Sequence, residues 1–346
     1  MANLLHAWLG KQWQRRGVWA YLTWPLAWLY GCIAQRRRQA YRIGHKTPYR
    51  APVPVIVVGN IYVGGTGKTP VTCALADVLR AMGFTPGLIS RGYGSKPSPV
   101  PLTGVGQALD WQRYGDEPAL IARKTAMPIS VHTNRGLAIQ QLLKDYPEVD
   151  VVLSDDGLQH HALARDFEIL IQDERGAGNG WLLPAGPLRE PPARINEVDL
   201  VLERRACLDN TTNAIPGFCV RLARWRHAAS GNVIPADALA SQATLKTPIL
   251  AAAAIGVPTR FFESIAQVGI TVDQALSLAD HQPIEPSWFE RQRAGTILLT
   301  EKDAIKLPSI QDQRVWIAET TVDWWHDDIG SFLQHKLAQA GIAHPG

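Results

Sequence analysis

A doubly wound α/β fold is what this chain of 346 residues predicts. Three observations carry the expectation. Short, continuously apolar runs alternate with helical stretches through the first part of the chain, a glycine-rich turn joins one such run to a helix, and another run ends in two adjacent aspartates. Unbroken apolar runs mark strands covered on both faces, as in parallel sheets. Their alternation with helices implies crossover connections.

Val53–Val58 reads as the first buried strand. A helix is expected from about Thr69 to Met82, with Pro70 in its first turn, where a missing N–H costs nothing, and Gly83 just past its end. Pro86–Ser90, Val149–Ser154, Phe167–Gln172 and Asp199–Leu202 read as further strands. The pattern then changes. Phe218–Trp225 and Asn232–Ile234 suit a two-stranded link, and Pro248–Ala253, Thr296–Thr300 and Arg314–Ile317 read as strands again. Helices are expected near Pro258–Val268, Pro286–Ala294 and Ile329–Ala340. The expected division is an arm over 1–50, a core domain over 51–215, a linker over 216–247 and a smaller C-terminal α/β lobe over 248–346.

The chain is 46% hydrophobic and 19% charged, which argues against disorder over most of its length. Cys32, Cys73, Cys207 and Cys219 are far apart and form no C-x-x-C pair, so a zinc ribbon or disulfide framework is not expected. Charge is uneven. Residues 1–50 hold nine Lys or Arg and no acid, and the first acidic side chain is Asp77. The same stretch holds Trp8, Trp13, Trp19, Trp24 and Trp28, five of twelve tryptophans. Val18 to Ala34 is uncharged and lies between Arg15-Arg16 and Arg36-Arg37-Arg38. Trp and Tyr favour the headgroup level, and flanking Arg gains from anionic lipid. The arm therefore reads as a helix lying in a membrane interface, with a spanning helix and a buried core helix as the alternatives. A 17-residue uncharged run does not suit nucleic-acid binding. No obligate protein partner is inferred.

The glycine turn carries chemistry. Val55-Ile-Val-Val-Gly59-Asn60 leads into Tyr62-Val63-Gly64-Gly65-Thr66-Gly67-Lys68-Thr69-Pro70. Glycines let backbone N–H groups face phosphate oxygens, and the helix N-terminus adds partial positive charge. Lys68 would neutralise the β- and γ-phosphates, and the Thr69 hydroxyl would reach Mg²⁺. The spacing departs from the standard loop, which wants glycine where Tyr62 stands. A variant of membrane-cycling ATPases wants lysine where Val63 stands. The strand ending in Asp155-Asp156 fits a metal-holding carboxylate at a strand's carboxyl end. Together these make the fold class a P-loop NTPase-type doubly wound sheet with a second lobe and a membrane-associated helical arm.

A phosphoryl-transfer enzyme needs a group that orients or deprotonates the acceptor hydroxyl. Tyr114-Gly-Asp116-Glu117-Pro118 and Asp280-His281 are candidates, each in an expected loop. His160 and His161 border the Asp155-Asp156 segment and read as structural or exposed. The Gly- and Pro-rich run from Gly178 to Glu190 reads as rigid and close to a ligand, and Thr300-Glu-Lys-Asp303 as a capped helix start.

These segments resemble the tetraacyldisaccharide 4′-kinase family, the lipid A 4′-kinases. The residues that carry the resemblance are Gly59-Asn60, Val63 to Pro70, Ser90-Arg91-Gly-Tyr93-Gly94, Gly115 to Pro118, Asp155-Asp156-Gly-Leu-Gln159-His160, Leu183 to Glu190, Asp280-His281 and Thr300 to Asp303. The resemblance implies transfer of the ATP γ-phosphate to the 4′-hydroxyl of a tetraacylated disaccharide 1-phosphate, at the cytoplasmic face of an inner membrane. It further implies a base pair of Asp116 and His281, with Asp155, Asp156 and Glu190 serving magnesium and phosphates. Asn60, Arg91, Tyr93, Gln159, His160 and Arg189 are implied as substrate or nucleotide contacts. The rival reading is a membrane-cycling regulatory ATPase without a small-molecule acceptor, which usually carries the lysine missing at Val63.

Overall fold

The computed structural model describes residues 10, 12–106, 109–207, 216–241, 245–307, 309–325 and 329–342. Trp8 of the arm lies outside the described residues. In chain order the strands begin with β1 (Val55–Gly59), β2 (Pro86–Ser90), β3 (Leu102–Gly104), β4 (Ile129–Val131), β5 (Val151–Asp155), β6 (Phe167–Gln172) and β7 (Leu200–Arg204). They continue with β8 (Gly217–His227), β9 (Val233–Pro235), β10 (Ile249–Ala253), β11 (Gln274–Ser277), β12 (Thr296–Thr300) and β13 (Val315–Trp324). Among the described residues all thirteen belong to one sheet, in the order β11-β10-β12-β13-β8-β7-β6-β1-β5-β2-β4-β3, with β9 on β8.

Strand β1 is central to the first half, parallel to both β5 and β6. Its five residues are all buried, which explains its unbroken apolar run. The carboxyl ends of β1 and β5 lie side by side, Val58 opposite Asp155, so the glycine turn and the two aspartates open at one edge of the sheet. Strand β8 pairs parallel with β7 and antiparallel with β13 along nearly its whole length. These long strands, of eleven and ten residues, continue the first half's sheet into the second half.

The helices are α1 (Val18–Arg42), α2 (Lys68–Ala81), α3 (Trp111–Tyr114), α4 (Asp116–Thr125), α5 (Arg135–Asp145), α6 (Pro258–Gln267), α7 (Pro286–Glu290), α8 (Glu301–Ala304) and α9 (Ile329–Gln339). Helix α2 buries Val71, Leu75, Ala76 and Leu79 against the sheet. Helix α1 inverts that sorting. It buries only Ala20, Thr23 and Ala27, and leaves Tyr21, Leu22, Trp24, Leu26, Trp28, Leu29 and Ile33 exposed. No helix among the described residues is long and apolar enough to cross a membrane.

The segment from Gly178 to Glu190 forms a strap between α1 and the glycine turn. On one side Trp13 Nε1 donates to Pro184 O at 3.0 Å, Tyr30 OH donates to Arg189 O at 2.9 Å, and Tyr21 packs edge-on against Trp181. A Cβ at Gly31 would come within 2.8 Å of the Leu182 side chain, so the helix and the strap lie close at this point. On its other side the strap donates from Arg189 N to Ile61 O at 2.7 Å and accepts from Val63 N on Pro187 O at 2.9 Å.

Three expectations are corrected. In place of the expected loop between Gly115 and Pro118, Asp116 opens helix α4. Gly115, at φ 91°, makes the turn into the helix, and Pro118 sits in the first turn, where its missing N–H is harmless. Strands β3, β4 and β11 and helices α3 and α5 have no counterpart among the expected elements, the strands being only three or four residues long. Cys207 and Cys219 are joined by a disulfide, with Cα atoms 5.2 Å apart. The register of β7 on β8, Arg204 opposite Phe218, brings the pair together across twelve positions of sequence.

Candidate active site

Helix α2 starts at Lys68, directly after Gly67 in the left-handed region at φ 98°. A residue with a Cβ would be strained there, and Gly67 lets the chain turn abruptly from loop to helix. Asn60 is fully buried inside the loop and braces it. Its Nδ2 donates to Tyr62 O at 2.6 Å and to Thr66 Oγ1 at 3.1 Å, and its Oδ1 accepts from Lys68 Nζ at 3.2 Å. Tyr62 is buried and bridges to Leu188, while the Val63 amide goes to the strap. Gly65, Thr66, Gly67, Lys68 and Thr69 line a cavity of about 200 Å³. Pro70, Val220, Leu222, Val257 and Phe261 form its apolar walls.

At the end of β5, Asp155 is 2% exposed and its Oδ1 has no hydrogen-bond partner. Burial first, and then the charges of Glu117 and Asp156, push its carboxyl up to about 7. Asp156 has the opposite fate. Burial works against its charge, but Lys68 at 3.4 Å and Arg189 at 2.8 Å outweigh it and hold the carboxyl down at about 2. Neighbouring carboxylates pushed apart in proton affinity are a recurring feature of functional sites. Glu190 accepts from Gln159 Nε2 at 2.7 Å and lies 3.3 Å from Arg194. Gln159 also donates to Asn60 O, joining this group to the loop brace.

His281 arrives from the second half. It sits just after β11 at φ 61°, a left-handed conformation unusual for a residue with a side chain. Its Nδ1 is 2.7 Å from Asp116 Oδ2, and its ring centre is 5.4 Å from that of the exposed Tyr93. Burial raises the Asp116 carboxyl, yet the His281 hydrogen bond, Lys302 and Lys306 together keep it below the ordinary range. Asp116 also lies in the first turn of α4, where the helix dipole favours an anion. Glu117 pairs with Lys302 Nζ at 2.9 Å, a second bond between the halves.

A third bond was not legible in the sequence. Arg260 on α6 donates to Gly65 O at 2.9 Å and pairs with Asp173 at 2.7 Å, while Arg175 donates to the same carbonyl at 3.1 Å and covers the Tyr62 ring. No spacing rule singles out these arginines. Arg204, on the cavity wall, is held down at about 10 by burial and by Arg260.

Beside the aspartates lies a basic rim. Burial, then Arg135, Arg165, Arg37 and Arg91, lower His160 to about 4, so its ring is neutral at physiological pH. Arg135 is buried, bonding Ser154 Oγ and, at 3.1 Å, Asp156 O. The structure thus brings Lys68, Thr69, Asp155, Asp156, Arg189, Gln159 and Glu190 to one strand edge, and Asp116, His281 and Tyr93 to a neighbouring one. Tyr62 and Asn60 act as internal supports of the loop.

Among the described residues no group of three or more His, Cys, Asp or Glu forms a metal cage. That donor set still fits magnesium, which binds through one or two carboxylates, waters and substrate phosphates. The unpartnered Asp155 oxygen beside the Lys68-Thr69 helix start meets that description.

A family described as tetraacyldisaccharide-1-P 4′-kinase matches residues 19–338. A tetraacyldisaccharide 4′-kinase of Bordetella petrii is 47% identical over 96% of this chain and 96% of its own. One of Herminiimonas arsenicoxydans is 43% identical over 99% and 98%. Among solved structures, LpxK from Aquifex aeolicus, described as an "apo" form in complex with ATP, superposes with a TM-score of 0.76 at 27% identity, covering 93% of this chain and 99% of that one.

Proposed function

The chain belongs to the tetraacyldisaccharide-1-P 4′-kinase family, and from that premise we propose how its own residues carry the reaction. It is an ATP-dependent lipid A 4′-kinase, a phosphotransferase acting on an alcohol group. The family relationship replaces the regulatory-ATPase reading, which the absent lysine at Val63 already disfavoured.

The triphosphate lies along Gly64–Thr69, with Lys68 on its terminal phosphates and the nucleoside in the apolar cavity bounded by Val220, Leu222 and Phe261. Asp155 and Thr69 would hold magnesium, which when bound neutralises charge on the phosphate oxygens. Asp156 keeps Lys68 and Arg189 in place through its two ion pairs. Asp116 and His281 form the base for the 4′-hydroxyl. The observation that carries this reading is the 2.7 Å contact between His281 Nδ1 and Asp116 Oδ2, made across the two halves of the sheet.

The arm is the lipid-facing part. Its exposed Tyr21, Leu22, Trp24, Leu26, Trp28 and Leu29 form an apolar face of the kind that marks an interaction surface, and Arg36 and Arg37, exposed before the helix ends at Arg42, add charge suited to anionic headgroups. This favours an interfacial helix at the cytoplasmic face of the inner membrane, with the acyl chains left in the bilayer. The acceptor carries a phosphate of its own, and the arginines around His160 give that face of the cleft a positive field.

The test is a double-mutant cycle. Asp116→Ala and His281→Ala should each lower kcat for lipid phosphorylation by about 10²–10⁴-fold, with the double variant little worse than either. Additive losses would show that the two do not act as a unit.

A further inference from the structure

We propose that Lys306 is a positioning residue of this base: it holds Asp116 as a carboxylate turned towards His281. The inference rests on the reading of Asp116 and His281 as the base pair.

Lys306 follows α8 and its side chain is 1% exposed, an unusual place for an ammonium group. A buried cation is tolerated only where anions meet it. Two do. Asp303 Oδ1 is 3.4 Å from Nζ and Asp116 Oδ2 is 3.8 Å away. Asp303 is itself held, its Oδ2 accepting from Thr300 Oγ1 at 2.7 Å and from Ala254 N at 3.1 Å. It therefore acts as a fixed bracket that aims the lysine at Asp116 on the other half of the sheet. The chain of contacts runs from the end of β12 through Asp303 and Lys306 to Asp116 and His281.

Lys302 adds its charge to that of Lys306 in keeping Asp116 ionised, but of the two only Lys306 stands within 4 Å of the carboxylate. Lys302 is committed to Glu117 at 2.9 Å and has Asp280 at 3.9 Å. Glu117 is the neighbour on α4, Lys68 lies beyond Glu117, and Tyr93 stacks on His281 from the open side. Asp280 Oδ1 is 3.8 Å from His281 Nε2.

A cation beside Asp116 opposes its protonation, so the proton between the pair resides on Nδ1 and leaves the Nε2 lone pair free. The step then balances. The 4′-oxygen bonds to the γ-phosphorus, the bond from that phosphorus to the bridging oxygen breaks with its electron pair staying on ADP, and the hydroxyl proton passes to Nε2. The imidazolium formed lies between Asp116 and Asp280.

The experiment uses the full chain with ATP, magnesium and the tetraacyl disaccharide 1-phosphate in detergent micelles. Lys306→Met should lower kcat about tenfold or more near pH 7 and move the acid limb of the kcat profile up by about one pH unit. The KM for ATP should stay within about twofold. Lys306→Arg should restore most of kcat and the original limb. A folded Lys306→Met enzyme with an unmoved limb, whatever its kcat, overturns the proposal. Should that variant not fold, Lys306→Gln takes its place: an acid limb moved up supports the proposal, and an unmoved one overturns it. Wild-type turnover in both Asp116→Ala and His281→Ala would instead remove the base reading itself. Crippled Asp116 and His281 variants beside a normal Lys306→Met would remove only the role of Lys306.

Discussion

Helix α2 turns Val71, Leu75 and Leu79 into the sheet and closes over them, whereas α1 sets Ala20, Thr23 and Ala27 against the protein and holds Leu22, Trp24 and Trp28 outward. Both helices are rich in apolar residues, and both pack on the same molecule. The difference lies in which side chains meet the protein. Small residues let α1 lie close to the rest of the protein while its large ones stay available, and burying each of those would be worth about 1.5–3 kcal/mol. In α2 that gain is realised on folding. In α1, as proposed, it is realised on meeting lipid. One helix is thus built to be stable and the other to be placed.

Substitutions can break this contrast in order of expected size. Lys68→Ala, at the start of α2, should lower kcat about a thousandfold while sedimentation with anionic lipid vesicles stays unchanged. Unaltered phosphorylation would remove the phosphate-loop assignment. Leu79→Ala should cost about 3 kcal/mol of folding stability, read by denaturant unfolding. Trp24→Ser combined with Trp28→Ser should weaken vesicle binding about tenfold or more, with folding stability little changed. Leu22→Ala sharpens the comparison most, because it is the same kind of truncation as Leu79→Ala on the opposite kind of helix. It should change stability by no more than about 0.5 kcal/mol. A loss near that of Leu79→Ala would mean that Leu22 is packed inside the protein and that α1 is an ordinary core helix.

The strand, glycine turn and helix around Lys68 were legible because they are contiguous, and local chemistry dictates each. β2, β6 and β12 could be read to the residue, since buried parallel strands carry their signal in composition. The short strands β3 and β4 carry too few residues for any period to show. Asp116 and His281 are 165 positions apart, and only the family resemblance joined them before the sheet did. Arg260, 195 positions from Gly65, had no such help. Its role depends on the sheet continuing from β7 through β8 and β13, which no local pattern announces. The Cys207–Cys219 disulfide was missed for the same reason, because strand register, not spacing, set it.

The strap from Gly178 to Glu190 holds Trp13, Tyr21 and Tyr30 on one side and Ile61 and Val63 on the other. It works as a gauge block between anchor and catalyst. The vertical distance from the greasy helix to the phosphate grip is set by short polar and ring contacts, with no slack tether in between. With α1 lying in the lipid interface as proposed, a sugar headgroup at a given depth in the leaflet would meet the reactive phosphate at a height fixed when the chain folds.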